Sequence, residues 1–233
     1  MNHSNVPDIS APVLTIDGPS GSGKGTISQL VAVRHHWHYL DSGALYRLVA
    51  LAAKEAGISA DDAEALATIA RNLDVEFVLQ PGAVATVILG GREVGDRLRT
   101  EEVGELASKI AALPGVREAL FERQRQFQMA PGLVADGRDM GTTIFPGALL
   151  KIFLTASAEV RAERRYKQLM GKGFDVNLPR LLGEIRDRDA RDSERSASPL
   201  RPADDAIVVD TSTMTIDQVV DHIDGLLQDR LGA

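Results

Sequence analysis

One stretch constrains this chain more than any other: Gly18-Pro19-Ser20-Gly21-Ser22-Gly23-Lys24-Gly25-Thr26. Its G-x-x-x-x-G-K spacing is that of a phosphate-binding loop, and it sits in the context such a loop requires. Val13-Leu14-Thr15-Ile16 before it reads as a short buried strand, and a helix from about 24 to 34 follows. Glycines let successive backbone N–H groups turn inward around phosphate oxygens. The helix N-terminus adds favourable partial charge, and Lys24 reaches the outer phosphates. The residue after the lysine is Gly25 where a Ser or Thr is usual, so the nearest hydroxyl is that of Thr26. Thr26 is therefore the candidate ligand for a Mg2+ ion held partly through water.

The rest of the chain keeps the same alternation. Short strands are expected at 38–40, 132–135, 151–154 and 206–209, and helices at 44–56, 63–72, 101–111, 115–129, 157–170, 178–194 and 215–230. Strands alternating with helices imply a parallel sheet with helices on both faces. Two apolar runs, 75–79 and 84–89, flank Gln80-Pro81-Gly82, which is a hairpin signal. The reading is an α/β phosphate-loop core over 11–72 and 101–233, a small antiparallel β insert over 73–100, a helical lid at about 161–177 and a loose tail over 1–10.

Composition narrows the function. The 233 residues include no cysteine, which excludes disulfides, thiolate metal sites and a cysteine nucleophile. Net charge is −7, a poor basis for binding nucleic acid or anionic membrane. No apolar run approaches the ~20 residues of a membrane span. The opening MNHSNVPDIS lacks a basic segment followed by an apolar core, so a cytoplasmic location is expected; the chain is also expected to act as a monomer. A signalling GTPase would carry an Asn-Lys-x-Asp guanine reader, and none is present. A small-molecule kinase remains.

The positive charge is local. Residues 161–195 hold ten basic and seven acidic side chains. Leu181 and Ile185 define an apolar stripe on the helix from 178, and at about 100° per residue Arg188, Asp192 and Arg195 continue it. A helix leaving the core for a ligand cleft explains charges on that stripe better than a solvated ion pair does. A second cluster, Asp136-Gly137-Arg138-Asp139, follows a strand, where ligands bind in parallel α/β sheets. A third, Asp41-Ser42-Gly43 with Tyr46-Arg47, follows the strand at 38–40; Ser42 alone could also serve there as a helix cap.

These segments resemble the bacterial cytidylate kinases, a family of nucleoside monophosphate kinases. The resemblance rests on Ile16–Thr26, Leu40-Asp41-Ser42-Gly43-Ala44-Leu45-Tyr46-Arg47, Val116-Arg117-Glu118-Ala119-Leu120, Ala135-Asp136-Gly137-Arg138-Asp139-Met140-Gly141-Thr142, Lys151–Leu154 and Arg188–Asp192. It implies phosphoryl transfer from ATP to CMP or dCMP with Mg2+. It implies that Gly18 to Thr26, with Arg161 and Arg164, hold ATP. Arg47, Arg138 and Arg195 would bind the acceptor's phosphate; Arg188 and Asp192, beside Tyr46, its ribose; Ser108, Arg117 and Asp139 its base. Ser42 and Asp136 complete the acceptor set, and Lys24, Arg138, Arg188 and Arg195 carry the catalysis. Asp139 suits cytosine because a carboxylate accepts from the exocyclic amine that uracil lacks. A kinase for UMP, AMP or an alcohol, and a nucleotide-binding module without turnover, stay open.

Overall fold

The computed structural model describes residues 10–82, 84–98, 100–171, 173–194 and 198–232. The expected tail lies, except for Ser10, outside them. In chain order the elements begin β1 (Val13–Asp17), α1 (Lys24–His35), β2 (His38–Asp41), α2 (Ser42–Glu55) and α3 (Ala63–Arg71). Next come β3 (Val75–Val78), β4 (Thr86–Leu89), β5 (Arg92–Glu93), α4 (Gly95–Leu98), α5 (Glu101–Ile110) and α6 (Pro114–Arg125). The chain closes with β6 (Leu133–Gly137), a π-helical turn (Met140–Ile144), β7 (Leu150–Thr155), α7 (Ala158–Met170), α8 (Leu178–Ser193), β8 (Ile207–Asp210) and α9 (Ile216–Leu231).

Five strands form a parallel sheet in the order β2-β6-β1-β7-β8, and three form an antiparallel sheet, β3-β4-β5. The fold class is thus the expected one. In the large sheet β1 runs parallel to β7 with Leu14 opposite Leu150, and β7 parallel to β8. Every residue of β1 and β6 is buried, which suits strands covered on both faces. The hairpin at 75–89 pairs Val75 with Leu89, and the insert gains a third strand and the short helix α4.

The chain divides into two compact units. One comprises Ala32–Ala135 with the chain up to Pro12, the other Val13–Val31 with Asp136–Ala233. In the first, α2 packs on α5 and α3 on α6, and Leu45, Leu48, Leu66, Ile110 and Leu120 are fully buried. In the second, α7 packs against α8, and the core holds Leu14, Ile16, Ile152 and Leu154.

Candidate active site

The glycine loop lies wholly in the second unit. Gly18 has φ +151°, and a Cβ there would stand 2.1 Å from the Leu154 carbonyl oxygen, so only glycine fits where the loop leaves β1. The Ser22 hydroxyl oxygen is buried without a hydrogen-bond partner, an expensive state for a polar atom unless a ligand completes it. Lys24 is buried and reaches back over the loop, its Nζ donating to the Pro19 carbonyl at 3.0 Å. Gly25, where a hydroxyl residue is usual, faces Asp136: a Cβ at 25 would lie 3.2 Å from Asp136 Oδ2. The buried Asp136 carboxylate occupies the space a Ser or Thr side chain would enter, while Thr26 is exposed.

Arg161 and Arg164, expected on ATP, are tied behind the loop. Arg161 is only 4% exposed. Its Nε donates to the Ala156 carbonyl at 2.9 Å and its Nη1 to the Ser20 carbonyl at 3.0 Å. The same guanidinium grips Asp189 with two bonds, at 2.9 and 2.5 Å. Arg164 donates to Thr211 Oγ1 at 3.1 Å, to the Thr211 carbonyl at 2.5 Å and to the Ser22 carbonyl at 3.5 Å. Both arginines thereby fix backbone carbonyls of the loop.

The Asp136–Asp139 cluster begins within β6, which runs two residues beyond the strand expected at 132–135. Asp136 and Gly137 complete β6, and Asp139 caps the π-helical turn through its backbone, without a side-chain cap bond. Arg138 Nε donates to Asp192 Oδ2 at 2.8 Å, so two residues 54 apart in sequence come together. Asp192 is buried, as the stripe reading requires, but Arg188 is exposed. The physical reason is Leu182. It lies about 100° round the helix from Leu181 and moves the centre of the inward face toward Asp189, leaving Arg188 at the rim.

Asp17, at the end of β1, was not a sequence candidate. Its carboxylate accepts from the Met140 and Gly141 amides, at 2.9 and 2.8 Å. Burial pushes its pKa up from 3.8 to about 6, against the lowering pull of those two N–H groups. Asp189 was missed likewise. Its signal was present, one helical turn beyond Ile185 on the inward face.

In the first unit, Asp41 rather than Ser42 caps α2, its Oδ1 accepting from Ala44 N at 2.9 Å. Ser42, buried at the first helical position, is relieved of the capping role. Arg47 donates to the Leu98 carbonyl at 2.8 Å, and its guanidinium lies against Gly104, 3.1 Å from where a Cβ would stand. Tyr46 and Arg117 are half-buried, Arg117 Nη1 donating to the Ala111 carbonyl at 3.5 Å, and Ser108 is exposed. Arg195 lies outside the described residues.

The family model described as cytidylate kinase matches residues 14–229. A cytidylate kinase of Aeromonas hydrophila subsp. hydrophila is 58% identical, over 95% of this chain and 96% of that protein. One from Pseudomonas aeruginosa is 59% identical, over 91% of this chain and 93% of its own length. Solved structures it resembles include a shikimate kinase from Bacteroides thetaiotaomicron, at 11% identity and a TM-score of 0.43, over 93% of this chain and 98% of that one.

Proposed function

The chain belongs to the cytidylate kinase family and makes CDP and dCDP from CMP and dCMP with ATP as donor; on that premise we propose a division of labour among its residues. The loop from Gly18 to Thr26, through the backbone N–H groups that follow Pro19, and the Lys24 ammonium hold the donor's phosphates. The observation that carries this is the loop itself: braced carbonyls behind, Lys24 folded across it, and a buried Ser22 hydroxyl with no protein partner. Arg161 and Arg164 act as positioning residues for that loop. Gly171 and Gly173, the latter at φ +81°, hinge a lid that keeps water from the donor.

The donor set also fits Mg2+. Among the described residues no three His, Cys, Asp or Glu side chains gather into an all-protein site, and a kinase magnesium takes most of its ligands from phosphate and water. Asp136 and Thr26 would hold it, and the ion would neutralise charge on the donor phosphates.

For the acceptor, Arg47, Arg138 and Arg195 take the phosphate, Arg188 and Asp192 the ribose beside Tyr46, and Ser108, Arg117 and Asp139 the base, with Ser42 and Asp136 as further contacts. A monophosphate has a second pKa of roughly 6, so the nucleophile is already ionised at neutral pH and no general base is required. The obstacle is charge: two unit charges 4 Å apart repel by about 4 kcal/mol at an effective dielectric of 20. Catalysis by Lys24, Arg138, Arg188 and Arg195 is alignment with charge cancellation. The protein acts on small molecules as a cytoplasmic monomer, without nucleic acid or membrane partners. No described helix is long and apolar enough to cross a membrane. A coupled ADP-release assay across CMP, dCMP, UMP, AMP and shikimate tests the whole reading. CMP and dCMP should dominate; a preference for UMP, AMP or shikimate would sink it.

A further inference from the structure

The residue reading the base stands on a segment held by a carboxylate from far away in sequence. Met140 and Gly141 follow Asp139 directly, and both of their amides donate to the one Asp17 carboxylate. Asp17 is 5% exposed and Met140 fully buried. The Asp139 carbonyl in turn accepts from Thr143 N at 2.9 Å and Ile144 N at 3.2 Å. On its other side the segment has little room. A Cβ at Gly141 would fall 2.9 Å from Thr15 Oγ1, 3.2 Å from Lys151 Cδ and 3.4 Å from Asp17 Oδ2. Met140 fills the space beside Gly137, its Cγ 2.7 Å from where a Cβ would stand. The backbone that follows the Asp139 Cα is therefore fixed, and with it the point from which the Asp139 side chain projects.

We propose that Asp17 is a positioning residue for base selection: by clamping the Met140 and Gly141 amides it sets where the Asp139 carboxylate meets the exocyclic amine of the acceptor. This rests on the reading of Asp139 as the cytosine reader. Two acceptor oxygens are needed at 17, because two consecutive N–H groups point at it. Asparagine supplies one oxygen and one NH2, so one amide would face a donor and the segment would shift. A shift below an ångström is enough to spoil a hydrogen bond aimed at one atom of a base edge.

The test is the ratio of kcat/KM for CMP to that for UMP, in wild type, Asp17→Asn, Asp139→Ala and the double variant. The two acceptors share phosphate and ribose. A loosened glycine loop would lower both rates and leave the ratio alone, so the ratio isolates the base edge. Asp139→Ala should lower it by about tenfold or more, the worth of a hydrogen bond to a charged group. Asp17→Asn should lower it in the same direction, and the double variant should add little to Asp139→Ala. If Asp139→Ala narrows the ratio and Asp17→Asn leaves it unchanged, or if the two losses multiply, Asp17 does not act through Asp139. If Asp139→Ala itself leaves the ratio unchanged, the base reading fails and takes this inference with it. Should Asp17→Asn not fold, Gly141→Ala carries the same test, since its Cβ pushes the same amides off the carboxylate. It should narrow the ratio several-fold, and an unchanged ratio would overturn the proposal.

Discussion

The Asp17 carboxyl makes the stability of this protein depend on pH in a calculable way. Burial raises its pKa from 3.8 to about 6; the Gly141 and Met140 amides oppose that rise, the Asp139 charge adds to it and the Lys24 charge opposes it. The folded state thus holds this proton to higher pH than the unfolded chain does. Between the two pKa values the native protein binds more protons, so stability falls as pH rises. The contribution is fully present below about pH 3.8 and is lost as pH passes through about 6. A difference of about two pKa units corresponds to ~3 kcal/mol in all, of which about half is lost by pH 5 and roughly 1.4 kcal/mol between pH 5 and pH 8. Asp17→Asn removes this titration while costing one amide bond, about 1–3 kcal/mol at every pH. Urea unfolding of both proteins at pH 5, 6, 7 and 8 cancels the groups they share. The wild-type advantage should shrink by about 1–2 kcal/mol across that range. A difference that stays flat, or grows with pH, would refute the burial argument.

Three further outcomes are expected. Lys24→Ala should lower turnover by about 10²-fold or more, with the far-UV circular dichroism unchanged; near-wild-type turnover would remove Lys24 from the donor site. Asp189→Asn removes one of two charge-assisted bonds to the buried Arg161. It should destabilise by about 1–3 kcal/mol in thermal unfolding and raise KM for ATP, because Arg161, which braces the Ser20 carbonyl, is held less firmly; if both stay put, the pair does not position the loop. Gly132→Ala would place a Cβ 2.4 Å from the Trp37 ring and should lower the urea midpoint by an equivalent of about 1–3 kcal/mol; an unchanged midpoint would mean the ring moves aside at no cost.

The elements of the large sheet were legible because each is encoded locally, by an apolar run of strand length or a helical period beside glycine or proline. The glycine loop was legible for the same reason. What escaped depends on partners distant in sequence. The π-helical turn at Met140–Ile144 has no propensity signal of its own, and its first amides are held by Asp17, 123 residues earlier. The acceptors of Arg161 and Arg164 include backbone carbonyls, which every residue carries and no sequence pattern marks. At α8 the sequence shows the stripe turning polar, but a face taken from Leu181 centres too close to Arg188. Ser42 has the chemistry of a cap for α2, yet Asp41 one residue earlier takes that place.

The way each cation is held separates its roles. A long cationic side chain carries about 2 kcal/mol of rotamer entropy, and a tether formed before substrate arrives removes that cost from the binding step. Tethers differ in what they do to charge. A backbone carbonyl fixes a side chain without itself cancelling the charge, as the Pro19 carbonyl does for Lys24 and the Leu98 carbonyl for Arg47. A carboxylate that grips both ends of a guanidinium cancels most of the field it would exert on an anion, as Asp189 does for Arg161. Arg161 is therefore better suited to bracing than to neutralising a polyphosphate. Arg138 is intermediate, tied to Asp192 through Nε alone and 19% exposed. Asp192 then matters through Arg138 as much as through the ribose: Asp192→Asn weakens the tether without removing the cation. It should raise KM for CMP while leaving KM for ATP near wild type, and equal rises in both would place Arg138 away from the acceptor.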